Sequence, residues 1–145
     1  MKKETFEVEI GGKKFIAEFN DLADQADGSV LVRYGNTAIL ATVVMSNKKR
    51  EGQEFFPLTV DYEERFYAAG QILGSRYMRR EGRPSDAAIL SGRIIDRTVR
   101  PLFDGRIRQD VQIIITVLAI ENNEPDILAV NGASLALAIS DIPFG

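Results

Sequence analysis

Residues 85–120, SDAAILSGRIIDRTVRPLFDGRIRQDVQIIITVLAI, decide the fold, because they read as a capped helix that passes through a short turn into an apolar strand. Ser85 is a favoured N-cap residue, and Asp86 falls in the first turn, where the helix dipole attracts an anion. Pro101 biases Arg100 out of the α region, so the helix is predicted to stop there. At roughly 100° per residue, Arg93, Arg97 and Arg100 cluster within about 60° of one another and share one face. The opposite arc holds Ala87, Ala88, Ser91, Gly92, Ile94, Ile95 and Val99, small and branched side chains that let a helix lie close on a sheet. Residues 104–110 read as a turn with two more arginines. The run 111–120 is apolar on both faces apart from Gln112 and Thr116, as expected for a strand covered on both sides.

Upstream, Phe6, Val8 and Ile10 alternate with Glu7 and Glu9, Gly11-Gly12 follows, and Phe15, Ala17 and Phe19 alternate again, which predicts a β-hairpin. After a polar connection over residues 20–27, residues 29–34 and 37–45 form a second strand pair around Gly35-Asn36. Residues 47–54 read as a charged surface loop, and 57–63 as a strand with Leu58, Val60 and Tyr62 on one face. From 65 to 84 the periodicity disappears around Gly70, Gly74 and Gly82, giving a loop of a length that is usually functional or disordered. Downstream of the apolar strand, Pro125 marks a break and Asp126 is expected to cap a helix reaching about residue 140, apolar nearly all round and therefore buried. Five strands, a helix, a strand and a helix make an α+β fold with helices packed on a mixed sheet.

With no cysteine, the chain has neither disulfides nor thiolate metal sites, and a reducing compartment follows naturally. The absence of histidine removes Ser-His-Asp and Cys-His catalysis together with imidazole zinc sites. Residues 1–10 are charged without an apolar run, so they are not a signal peptide, and the apolar region 127–139 is too short to span a bilayer. A cytoplasmic protein without membrane association is expected. Charge is concentrated: of 12 arginines nine lie between positions 76 and 108, against Glu81, Asp86, Asp96 and Asp104. That window carries +5 in a chain of net charge −3, so the remainder carries −8. It contains no lysine, and guanidinium is the group suited to bidentate phosphate contacts and to stacking on bases. The competing reading is a solvated stripe paired with local acids such as Asp96. Asp61, Glu63 and Glu64 invite a metal-site reading, but acids at a strand edge are more often simply solvated.

Four runs, GQEFFPLTVDYEERFYAAG (52–70), REGRPSD (80–86), IDRTVRPLF (95–103) and NGASLALAISDIPFG (131–145), resemble the first core domain of the bacterial polynucleotide phosphorylase family. They occur in order and the resemblance covers essentially the whole chain. It implies a ribonuclease PH-like fold of the ribosomal protein S5 domain 2 type. It implies a 3′-to-5′ exoribonuclease that degrades single-stranded RNA to nucleoside diphosphates, with inorganic phosphate as co-substrate and a divalent metal, usually Mg2+. Its implied assembly is a homotrimeric ring around an RNA channel, with proteins of RNA-degradation complexes as further partners and no DNA. By the same resemblance, residues 1–145 are part of a first ribonuclease PH-like domain, truncated relative to the family. The second core domain, with the carboxylate and lysine cluster that uses Mg2+, and the KH and S1 domains lie outside this sequence.

Carried over by residue, the family's channel loop of two aromatics and two basic residues falls on Tyr77, Met78, Arg79 and Arg80, with Arg83 following. Tyr77 is expected to stack on a base and the arginines to hold phosphates, a combination suited to single-stranded RNA without sequence preference. A tyrosine packed at the base of the loop is the alternative. Met78 departs from the pattern, since a thioether offers no extended π-face, and Leu73 replaces a common family proline. Arg93, Arg97 and Arg100 are expected to serve RNA backbone contacts or assembly. Where the catalytic copy of the domain has phosphate-binding serines, this chain has Glu124-Pro125-Asp126, which lacks hydroxyl donors and repels an anion. No catalytic residue is therefore expected here, and the isolated chain is expected to be inactive. Ile113, Ile115, Leu135 and Leu137 are expected to line an apolar surface left for the remaining parts. A second functional reading is a non-catalytic RNA-binding or assembly module of a ribonuclease PH-like ring.

Overall fold

Glycines at positive φ close the first two hairpins: Gly11 and Gly12 (φ 59° and 76°) between β1 (Glu4–Ile10) and β2 (Lys13–Phe19), and Gly35 (φ 60°) between β3 (Gly28–Tyr34) and β4 (Thr37–Lys49). These elements come from a computed structural model that describes residues 4–49, 52–74, 76–77, 81–121 and 124–145. The chain continues through β5 (Leu58–Glu63), a 3-10 turn at Phe66–Ala69, α1 (Asp86–Val99), a second 3-10 turn at Arg100–Leu102, β6 (Gln109–Ala119) and α2 (Pro125–Ala138). The expected order of five strands, helix, strand and helix is therefore present.

The six strands form one mixed sheet in the order β1-β2-β3-β4-β6-β5. Every neighbouring pair is antiparallel except β5 and β6, which run parallel because α1 carries the chain back between them. Both helices lie on the same face. Val30, Val32, Ile39, Ala41, Val43, Ile113, Ile115 and Val117 are fully buried beneath them, each larger side chain contributing about 1.5–3 kcal/mol by leaving water. Close approach of α2 depends on two glycines: a Cβ on Gly28 would stand 2.3 Å from the Ala136 carbonyl oxygen, and one on Gly132 would stand 2.8 Å from Ile39 Cδ1.

Several sequence expectations need correction. The strand 111–120 is not covered on both sides: alternate residues of β6 are buried, whereas Gln112 and Leu118 on the other face are exposed. Ile113, Ile115 and Leu137 do not line an open surface, since the chain's own helices and strands enclose them, and Leu135 is half-buried. The large exposed apolar side chains lie elsewhere, among them Phe6 (59% exposed), Val8 and Ile10 on β1 and Ile127 (70%) on α2. β4 continues through Lys49, into the segment expected to be a surface loop. The N-cap position of helix α2 is Glu124, two residues before the expected Asp126, with Pro125 in the first turn, and the helix ends at Ala138. Only one side of it is buried, through Leu128, Ala129, Gly132, Ala133, Ala136 and Leu137.

Candidate nucleic-acid interface

Strand β5 ends in Glu63, and the chain then reverses through Phe66–Ala69, closed by Gly70 in the left-handed region at φ 69°. This turn is fixed to the sheet, because the Ile120 N–H donates to the Ala68 carbonyl at 2.8 Å. Tyr62 is buried and its hydroxyl donates to Glu64 at 3.0 Å. Burial, and then the Glu64 carboxylate beside it, push the Tyr62 phenol above its usual range, so it remains a proton donor. Tyr62, Glu64, Arg65, Glu81, Arg83 and Ser85 contribute to a cleft of about 460 Å³ between the ends of β5 and β6 and the start of α1.

Ser85 caps α1 as expected, its hydroxyl accepting the Ala88 N–H at 3.1 Å. The packed face of α1 is narrower than the sequence arc: Ala88, Gly92, Ile95 and Val99 are buried, while Ala87 and Ile94 (51% exposed) face outward. At Gly92 the helix lies close on β5, where a Cβ would stand 3.4 Å from the Val60 carbonyl, within ordinary van der Waals contact. The outer face presents Arg93 and Arg97, one turn apart, beside the exposed Ile89, Leu90 and Ile94.

The arginines divide into two sets. Arg100 is engaged within the fold: it donates to both carboxylate oxygens of Asp96 at 2.6 and 2.8 Å and to the carbonyls of Phe56 and Leu58 at 3.1 and 3.2 Å. Its guanidinium also stands 5.9 Å from the centre of the Phe56 ring. Arg106 pairs with Asp104 at 2.7 Å, and Arg108 donates to the carbonyls of Gly105, Ile107 and Glu54. Arg65 bridges Glu63 at 3.1 Å and Glu81 at 3.3 Å. Its protonated form is stabilised above the usual guanidinium range, first by the hydrogen bond to Glu63. By contrast, Arg76, Arg83, Arg93 and Arg97 are exposed and, among the described residues, carry no hydrogen bond or ion pair. Local pairing with Asp96 thus describes Arg100, and leaves Arg93 and Arg97 available.

Of the channel-loop residues, Tyr77 is 94% exposed, so it is not a side chain packed at the loop base. Met78, Arg79 and Arg80 lie outside the described residues. Sequence reasoning missed Arg65 and Glu81 as a pair. The available signal was Glu81 itself, an acid kept in a loop that carries Arg76, Arg79, Arg80 and Arg83. Among the described residues no group of three or more acids could hold a metal ion. Glu124 and Asp126 stand at the start of α2.

The model of the 3′ exoribonuclease family, domain 1, matches residues 11–143. A polyribonucleotide nucleotidyltransferase of Exiguobacterium sibiricum is 53% identical over 143 residues, covering 98% of this chain and 19% of the relative. One from Halothermothrix orenii is 56% identical over 138 residues, covering 94% of this chain and 19% of the relative. The chain therefore spans about a fifth of the length of these curated relatives. Among solved structures, rice (Oryza sativa) Rrp46 matches with a TM-score of 0.68 at 20% identity, over 90% of this chain and 57% of that one. An Archaeoglobus fulgidus exosome with RNA bound to the active site matches with a TM-score of 0.60 at 18% identity, over 98% and 52%. The fold is thus ribonuclease PH-like, α+β with a mixed sheet. The chain belongs to the 3′ exoribonuclease family, its residues 11–143 matching domain 1.

Proposed function

We propose that this chain is part of the first core domain of a phosphorolytic 3′-to-5′ exoribonuclease, and that it contributes RNA contacts and ring assembly rather than catalysis. The observation that carries this reading is the division of the arginines: Arg76, Arg83, Arg93 and Arg97 follow one another along the loop and the outer face of α1, unengaged, with the exposed Tyr77 next to Arg76 in the chain. Guanidinium groups bind phosphates and an aromatic ring stacks on a base, which is how single-stranded RNA is held without reading its sequence. The names of the relatives support the reaction, in which inorganic phosphate attacks the terminal phosphodiester and releases a nucleoside diphosphate. In this proposal Mg2+, the second core domain and the KH and S1 domains belong to the longer protein. Its homotrimeric ring, cytoplasmic location and role in RNA degradation with partner proteins are proposed with them.

A second reading, an RNA-binding or assembly module without any phosphorolysis, is favoured by the acids at the start of α2. Glu124 and Asp126 place negative charge at a helix N-terminus, where phosphate would otherwise be attracted. Both readings expect the isolated chain to be inert, and they part in the longer protein. Incubating the chain with poly(A), phosphate and magnesium should release no nucleoside diphosphate, whereas the longer protein should release it steadily. Release by the repurified chain alone would contradict both readings; none by the longer protein would leave the second.

A further inference from the structure

We infer that Glu81 is a positioning residue that fixes how the loop presents Arg76, Tyr77 and Arg83 to single-stranded RNA, acting through Arg65 and the Phe66 backbone. The inference rests on the RNA-contact reading above and adds the device that orients the contacts.

The loop leaves the body at Gly70, where the Gly70 and Gln71 N–H groups donate to the carbonyls of Tyr67 at 3.0 Å and Phe66 at 2.9 Å. It returns at Glu81, whose side chain is only 23% exposed and ties back to the point of departure. One oxygen of Glu81 accepts the Phe66 N–H and the other accepts from Arg65, whose second arm holds Glu63 at the end of β5. Start and end of the loop therefore meet on the same two residues, and the turn they form is bonded through Ala68 to Ile120, the residue that follows β6. Arg76 and Tyr77 lie between the two ends, and Arg83 is two residues past the tie.

A loop tied at its base samples fewer conformations than a free one. Apparent affinity scales with the fraction of molecules already in the binding conformation. Releasing the tie should therefore weaken RNA binding even though Glu81 touches no phosphate. Simple electrostatics makes the opposite forecast, because removing an acid from a cationic loop should strengthen the attraction for a polyanion. The sign of the effect thus separates positioning from charge.

The experiment titrates fluorescein-labelled oligo(A) with the intact chain, monitored by anisotropy at several salt concentrations, for wild type, Glu81→Gln, Arg65→Lys and each combined with Tyr77→Ala. Gln keeps the size and one acceptor but places an amide against Arg65, while Lys keeps the charge yet cannot bridge Glu63 and Glu81 as a planar fork does. If the competent fraction falls to about a tenth, each single variant binds about tenfold more weakly, with an unchanged salt slope. The loss shrinks in the Tyr77→Ala background, and hydrogen exchange at the Phe66 amide quickens in Glu81→Gln. Binding by Glu81→Gln as tight as wild type or tighter would overturn the inference and leave the RNA-contact reading intact. So would weakening accompanied by loss of the folded circular dichroism signal, which would make Glu81 a folding residue. Failure of wild type itself to bind would overturn the RNA-contact reading, and the inference with it.

Discussion

Arg100 and Arg106 lie six positions apart in the same arginine-rich window, yet removing them should have different consequences. Arg100→Ala takes the guanidinium away from the Phe56 and Leu58 carbonyls, the Asp96 carboxylate and the Phe56 ring. Because the Arg100 side chain is 40% exposed, water replaces part of the loss, and a destabilisation of about 1–2 kcal/mol is expected in denaturant unfolding. Arg106→Ala, at a side chain 90% exposed, should lower the midpoint only slightly, by far less than Arg100→Ala. Asp104 tests the same turn by pH. The Arg106 hydrogen bond holds its carboxyl at about 2, below the ordinary 3.8. Its contribution to stability is therefore fully present above the unfolded value and disappears as pH falls through the folded one. Thermal melts between pH 4 and pH 2 should show a small extra loss in wild type that Asp104→Asn lacks. Identical acid limbs would contradict the turn geometry.

Among the elements, the hairpin glycines and the Ser85 cap were legible because they are local: each follows from a few consecutive residues. The packed face of α1 was less so. Ile94 and Ile95 are both apolar and adjacent, but about 100° of rotation sends one into the core and the other to solvent. Arg100 could not be separated from Arg93 and Arg97 by spacing, since its carbonyl partners come from residues more than 40 positions upstream. The uncovered face of β6 was hidden by the half-buried Ile114 and the exposed Leu118, which give it an apolar composition. The tight seating of α2 on β3 is also a property of tertiary contact. Gly28→Ala would press a methyl group against a backbone carbonyl, which cannot swing aside, and should cost about 1–3 kcal/mol in the same unfolding assay. Stability equal to wild type would mean that the helix is not held where the structure has it.

Across the whole molecule, one sheet face and two helices account for the core, and the arginine-rich window is used twice. Part of it locks the connection from α1 to β6, through Arg100, Arg106 and Arg108, and part remains open to a polyanion, through Arg76, Arg83, Arg93 and Arg97. Composition showed the concentration of charge but not this division, which depends on where Asp96, Asp104 and the backbone carbonyls fall in space. The decisive measurement is the salt dependence of poly(A) affinity for wild type, Arg93→Ala, Arg97→Ala and the control Arg106→Ala. Each phosphate contact on a single strand contributes about 0.7 to the slope of log affinity against log salt. The account predicts that Arg93→Ala and Arg97→Ala each flatten the slope by about that amount, while Arg106→Ala, whose charge is already paired, leaves it unchanged. Equal slopes in all four proteins would contradict it and make the outer face of α1 a solvated surface.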